Sequence, residues 1–115
     1  MPATKLTPDL LAAPSNLSPA GKKAHAAFLA FLKKSKHTNT GGCETFYSPK
    51  DWAERGEEYG KESVLVIVHD GGDVAPVCNL DYECYDLNNE MVEAMSAAGF
   101  FVEGCTSWYS AVYPI

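Results

Sequence analysis

The sequence predicts an α+β domain: a small, largely antiparallel sheet with about three helices packed mainly on one face. Three observations predict it. Ala24, Ala27, Phe28, Phe31 and Leu32 recur at helical spacing and form one apolar stripe. Val64–Val68 is a five-residue aliphatic run, rich in β-branched side chains and too short for a buried helix, so it reads as an inner strand. Phe100–Cys105 and Trp108–Tyr113 have strand composition and flank the short turn Thr106-Ser107, which makes a terminal hairpin. Helices and strands mixed in this order suit an α+β layer architecture.

Each element has its own signals. Residues 1–17 read as a flexible tail, because Pro2, Pro8 and Pro14 interrupt any period, although Leu6, Leu10 and Leu11 offer docking points. The single domain then spans 18–115. Ser18 caps the first helix, Pro19 suits its first position, and Lys33, Lys34 and Lys36 favour its C-terminal end near Lys36. A short strand is expected at Glu44–Tyr47. Ser48 and Pro49 start a second helix that runs to about Glu58, with Gly60 as its stop and Trp52 as its anchor. After the inner strand, Asp70-Gly71-Gly72-Asp73 predicts a tight hairpin turn. Val74–Leu80 is the expected return strand, placed at an edge by Pro76. Asp86 caps a third helix, Leu87 to Ala98, with Met91, Met95 and Ala98 on its apolar side and Gly99 after its end.

The 115 residues carry a net charge of −6, unevenly placed. Residues 1–43 hold six lysines and one aspartate, a balance of +5, and residues 44–115 have a balance of −11. Such asymmetry points to electrostatic contact with a partner. No apolar run approaches the roughly 20 residues of a membrane span. The first residues show no apolar core of a secretory signal, so a cytoplasmic location is expected. In that compartment the four cysteines, Cys43, Cys78, Cys84 and Cys105, are expected as free thiols.

Candidate chemistry is sparse. Cys78 and Cys84 have five residues between them and no close ligand pair occurs, so no metal or other cofactor is expected. A site on Cys78, Cys84 and His69 is the alternative. Cys43 and Cys105 each follow glycine, and His69-Asp70 follows the inner strand. A thiol nucleophile with His69 as base and Asp70 as its orienting carboxylate is therefore the enzymatic alternative. The glycine pairs 41–42 and 71–72 match no phosphate-binding fingerprint. The lysines of the first helix lack arginines and sit on an acidic chain, so direct nucleic-acid binding is not expected.

The most distinctive feature is acidic. Asp81, Glu83, Asp86, Glu90 and Glu93 fall within thirteen residues, interleaved with Tyr82 and Tyr85. Together with Trp108 and Tyr109 they form the candidate partner-binding set, since Tyr and Trp are favoured interface anchors. The partner would be a protein with a basic surface, and self-association stays open.

The stretch Val64-Leu65-Val66-Ile67-Val68-His69-Asp70-Gly71-Gly72-Asp73-Val74-Ala75-Pro76 and the ending Cys105–Pro114 resemble a family of small uncharacterised proteins of bacteria and their phages and plasmids. The resemblance covers about residues 41–115. It implies a mobile-element setting, in which small acidic proteins inhibit host defence or nucleic-acid machinery by direct binding, as anti-CRISPR proteins do. The expectation is therefore a non-enzymatic, inhibitor-like binding module.

Overall fold

The computed structural model describes residues 9–115. Its elements, in chain order, are α1 (Pro19–Ser35), β1 (Phe46–Tyr47), α2 (Pro49–Glu54), β2 (Leu65–Val68), α3 (Val74–Cys78), a 3-10 turn (Leu80–Tyr82), α4 (Tyr85–Ala97), β3 (Phe100–Gly104) and β4 (Tyr109–Pro114). The four strands form one antiparallel sheet in the order β1-β2-β4-β3. The α+β class holds. Among the described residues no helix is long and apolar enough to cross a membrane.

Strand alternation builds two cores on the two faces of the sheet. Leu65 and Ile67 of β2 and Val112 of β4 face the main core, where Phe28 and Leu32 of α1 and Met91 and Met95 of α4 cover them. Val66, Val68 and Tyr109 face the other way and meet Trp52 of α2, which is fully buried. Three helices therefore lie on one face, and the short α2 closes part of the other.

Local signals set most helix ends. The Ser18 hydroxyl accepts from the Gly21 amide at 3.0 Å, and Ser48 does the same for Asp51 at 3.0 Å. Pro follows each cap. Gly21 is required by packing: a Cβ there would collide with the Val64 carbonyl, so α1 lies directly against the entry to β2. Lys36 ends α1 in the left-handed region, and His37 N–H donates to the Leu32 carbonyl at 2.8 Å.

Three expectations are corrected. Val74–Leu80 is not a return strand; its first part is α3 and it continues toward the 3-10 turn. Both flanks of β2 are occupied, by β1 and β4, so no place remains for a hairpin partner. Pro76 is the third residue of α3, in the first turn, where a missing N–H costs nothing. The second helix ends at Glu54, not near Glu58. Gly56, with φ of +86°, follows its end, and Gly60 packs against Ala111 instead of stopping it. The last helix starts at Tyr85, earlier than Leu87. Cys84 takes the cap position and Asp86 sits inside the first turn, where its charge favours the helix dipole.

The tail expectation changes as well. The Thr45 amide donates to the Leu10 carbonyl at 3.0 Å, His25 Nε2–H donates to the Leu11 carbonyl at 2.9 Å, and Leu17 is buried in the main core. Residues 10–17 are thus laid onto the domain. Residues 1–8, including Leu6, lie outside the described residues.

Candidate functional site

The segment that carries the acidic and aromatic residues is held from both ends. The Asn79 side chain accepts from the Asp81 amide at 2.9 Å, which starts the 3-10 turn, and its Nδ2 donates to the Ser107 carbonyl at 3.1 Å, which ties that turn to the β3–β4 loop. Asn88 Nδ2 donates to the Val77 carbonyl at 2.9 Å, fastening α4 to α3. Glu83 adopts a φ of +61° and turns the chain into α4.

This scaffold leaves apolar groups outside. Leu80, Tyr82 and Tyr85 are each more than half exposed, and Val92 is 43% exposed. Leu80 and Val92 stand at a cleft of about 360 Å³ whose inner wall includes Met91, Val102 and Cys105. Tyr85 and Val92 are seven residues apart, two turns of α4, and so share one line on its surface. Sequence reasoning missed Leu80 and Val92. The i, i+7 spacing of Tyr85 and Val92, off the Met91–Met95 side, was the available signal.

All five acidic residues, Asp81, Glu83, Asp86, Glu90 and Glu93, are exposed. The ion pair found among the described residues is Arg55–Glu57, at 3.4 Å, so none of the five is paired with a described basic residue. They do not form one patch. Asp81 and Glu83 flank Tyr82 in the chain, directly after Leu80 of the cleft. On α4, Glu90 and Glu93 border α1, whereas Asn88 and Val92 line the cleft.

The other aromatic candidates are corrected. Tyr109 is 2% exposed, packs edge-on against Trp52 at 4.9 Å, and its hydroxyl donates to the Tyr59 carbonyl at 3.4 Å. It is a core residue because β4 alternation turns it to the α2 face. Trp108 is half-buried, 5.7 Å from Trp52 in the same cluster.

The cysteine alternative does not assemble. The Cys43 thiol donates to the Asp70 carbonyl at 3.4 Å and the Cys105 thiol to the Glu103 carbonyl at 3.8 Å. His69 Nε2 instead meets Ser110 Oγ at 2.9 Å, across the β2–β4 pair. Burial lowers the His69 pKa to about 4, which makes it a weak base. Burial, with Glu103 nearby, raises the Cys105 thiol, and burial pushes Cys78 up to about 12, so both stay protonated near neutrality. Asp70 is exposed, and its nearness only partly offsets the effect of burial on His69. Among the described residues no group of three or more His, Cys, Asp or Glu side chains is placed to hold a metal ion, so Cys78, Cys84 and His69 do not converge. Ser110, which sequence reasoning passed over, was signalled by its polar character at a strand position sharing a face with Val112.

Comparison of the chain with protein-family models, with curated proteins and with solved structures finds no match.

Proposed function

We propose that this chain is a binding module that engages a basic protein surface through the segment Leu80–Val92. One observation carries the reading. Four large apolar side chains, Leu80, Tyr82, Tyr85 and Val92, stand exposed within thirteen residues, two of them, Leu80 and Val92, at a cleft, on a segment tied down at Asn79 and Asn88. Solvent exposure of clustered apolar surface is costly and marks contact sites, and tyrosines anchor interfaces at low entropic cost. Asp81 and Glu83, exposed on either side of Tyr82 in the chain, select a cationic partner, while the −11 balance of residues 44–115 steers its approach. An inhibitor of host defence or nucleic-acid machinery, the role that the family resemblance implies, is the form of binding we favour. The exposed lysines of α1 take no part in this contact.

The test is capture of partners from lysate by the immobilised chain at low and high salt, with three proteins: the native chain, Tyr82→Ala/Tyr85→Ala and Asp81→Lys/Glu83→Lys. Loss of a tyrosine hot spot of about 2 kcal/mol weakens binding about 30-fold. Charge reversal slows association and removes its salt dependence. Circular dichroism should show both variants folded. Retention of the same partners by all three proteins at both salts would refute the reading.

A further inference from the structure

α1 and α4 lie side by side over the main core and bear opposite charges. Lys22, Lys23, Lys33 and Lys34 are exposed on α1, which contains no acidic residue. Asp86, Glu90 and Glu93 are exposed on α4, which contains no basic one. Between the helices runs a groove of about 690 Å³ floored by Ala27, Ala30, Phe31 and Ala94, with Lys34 on one rim and Glu90 and Glu93 on the other. The groove keeps the two rims from neutralising each other, since no Lys–Glu pair across it comes within 4 Å among the described residues.

We propose that this face docks a second copy of the chain, through a two-fold axis that runs along the groove. Charge selects both the occupant and the axis. A copy rotated about an axis parallel to the groove lays its basic α1 over the acidic α4 of the first copy, and the reverse, so both unpaired rims are satisfied at once. A two-fold axis crossing the groove would stack α1 on α1 and α4 on α4, which places like charges together. The small side chains of Ala27, Ala30 and Ala94 let the opposing helices approach closely.

The size of the face sets the strength. Helices of 17 and 13 residues extend about 26 and 20 Å, and two of them side by side cover about 500 Å² per copy. This is below the roughly 800 Å² per partner of a standard stable interface, so pairing is weak, concentration-dependent and sensitive to salt. Val92 lines the cleft whereas Glu90 and Glu93 line the groove, so pairing uses a different flank of α4 from the one at the cleft. The proposal therefore does not depend on the partner-binding reading, and it assigns Glu90 and Glu93 to self-pairing.

Sedimentation velocity tests it, on the full chain up to about 1 mM at low and high salt. The native chain should move from monomer toward dimer as concentration rises, and high salt should reverse this. Lys33→Glu/Lys34→Glu makes both rims acidic and Glu90→Lys/Glu93→Lys makes both basic, so each variant alone should stay monomeric. Mixed, they should restore a 1:1 heterodimer of about the native strength, because every facing charge is again opposite. Tyr82→Ala/Tyr85→Ala should pair like the native chain. A native chain that remains monomeric throughout would overturn the proposal. So would variants that stay apart when mixed, or a native dimer that both charge variants still form alone.

Discussion

At the scale of single residues, His69 shows how the fold overrides chemistry that the side chain has in isolation. It is 2% exposed, Ser110 satisfies one ring nitrogen, and Nδ1 is buried without a partner among the described residues. Taking a proton there would bury a charge, hence the pKa of about 4 against the ordinary 6.5. The unfolded chain takes the proton near pH 6.5, while the folded chain resists until about pH 4. The unfolded state therefore binds more protons in that window. The His69 contribution to stability is fully present above pH 6.5 and is lost as pH falls toward 4, by at most about 1.4 kcal/mol per pH unit and about 3 kcal/mol in all. Urea melts between about pH 7.5 and pH 4.5 should show this component in the native chain and not in His69→Gln, which cannot titrate. Parallel loss of stability in both proteins would show that His69 is not the titrating group. The same burial makes a histidine preceding an aspartate, an attractive base in the sequence, a weak one in the fold.

At the scale of elements, the two glycine-bearing loops that read as separate turns are one interlocked unit. The Asp73 amide donates to the Asn39 carbonyl at 2.6 Å, and the Asn39 amide donates to the Asp73 carboxylate at 3.1 Å. Gly72, with φ of +65°, lies so close to the other loop that a Cβ would collide with the Asn39 carbonyl and stand 2.5 Å from the Gly41 amide nitrogen. Gly42 also has a positive φ, of +87°, yet a Cβ there meets nothing within 4 Å. Gly42→Ala should thus cost only the left-handed backbone penalty of about 1–2 kcal/mol. Gly72→Ala should cost clearly more, because rigid backbone must move as well. Equal midpoints in denaturant for the two variants would mean that the loops are not locked together. The interlock also directs the chain from β2 into α3. The Asp-Gly-Gly-Asp sequence showed a sharp turn, but its long-range bonds aim the chain beyond Asp73 away from the sheet.

At the scale of the whole molecule, one sheet serves two cores. Leu65 and Ile67 enter the main core and Val66 and Val68 the second, from a strand of four residues. Neither core can loosen without loss of strand positions that the other uses. Both tryptophans of the chain, Trp52 and Trp108, report on the second core, whereas far-UV circular dichroism is dominated by α1 and α4 over the first. The two signals should therefore give coincident unfolding curves, the mark of a two-state transition. Fluorescence that changes at clearly lower denaturant would show that the α2 side opens separately. The electrostatics is also a property of the whole. The +5 and −11 segments meet where α1 lies beside α4, so one face carries both signs while the 3-10 turn and the start of α4 carry mainly one.

Much of this was legible in the sequence because it is local. The Ser-Pro caps, the helical stripe of Phe28, Phe31 and Leu32, the β-branched run of β2 and the terminal hairpin each declare their period or their ends within a few residues. The exposed acids and Tyr82 and Tyr85 came from the same reasoning. What only the tertiary structure decided is non-local. β4 pairs with β2 across some forty residues and takes the flank that a hairpin partner would need, so the stretch after Gly72 becomes α3. Strand alternation against Trp52 draws Tyr109 inside. The turn of α4 puts Glu90 and Glu93 beside a basic helix and Val92 at an apolar cleft. Local patterns set which conformation a segment prefers, but competition for buried positions among distant segments decides which neighbours it gets. A binding surface is made of neighbours.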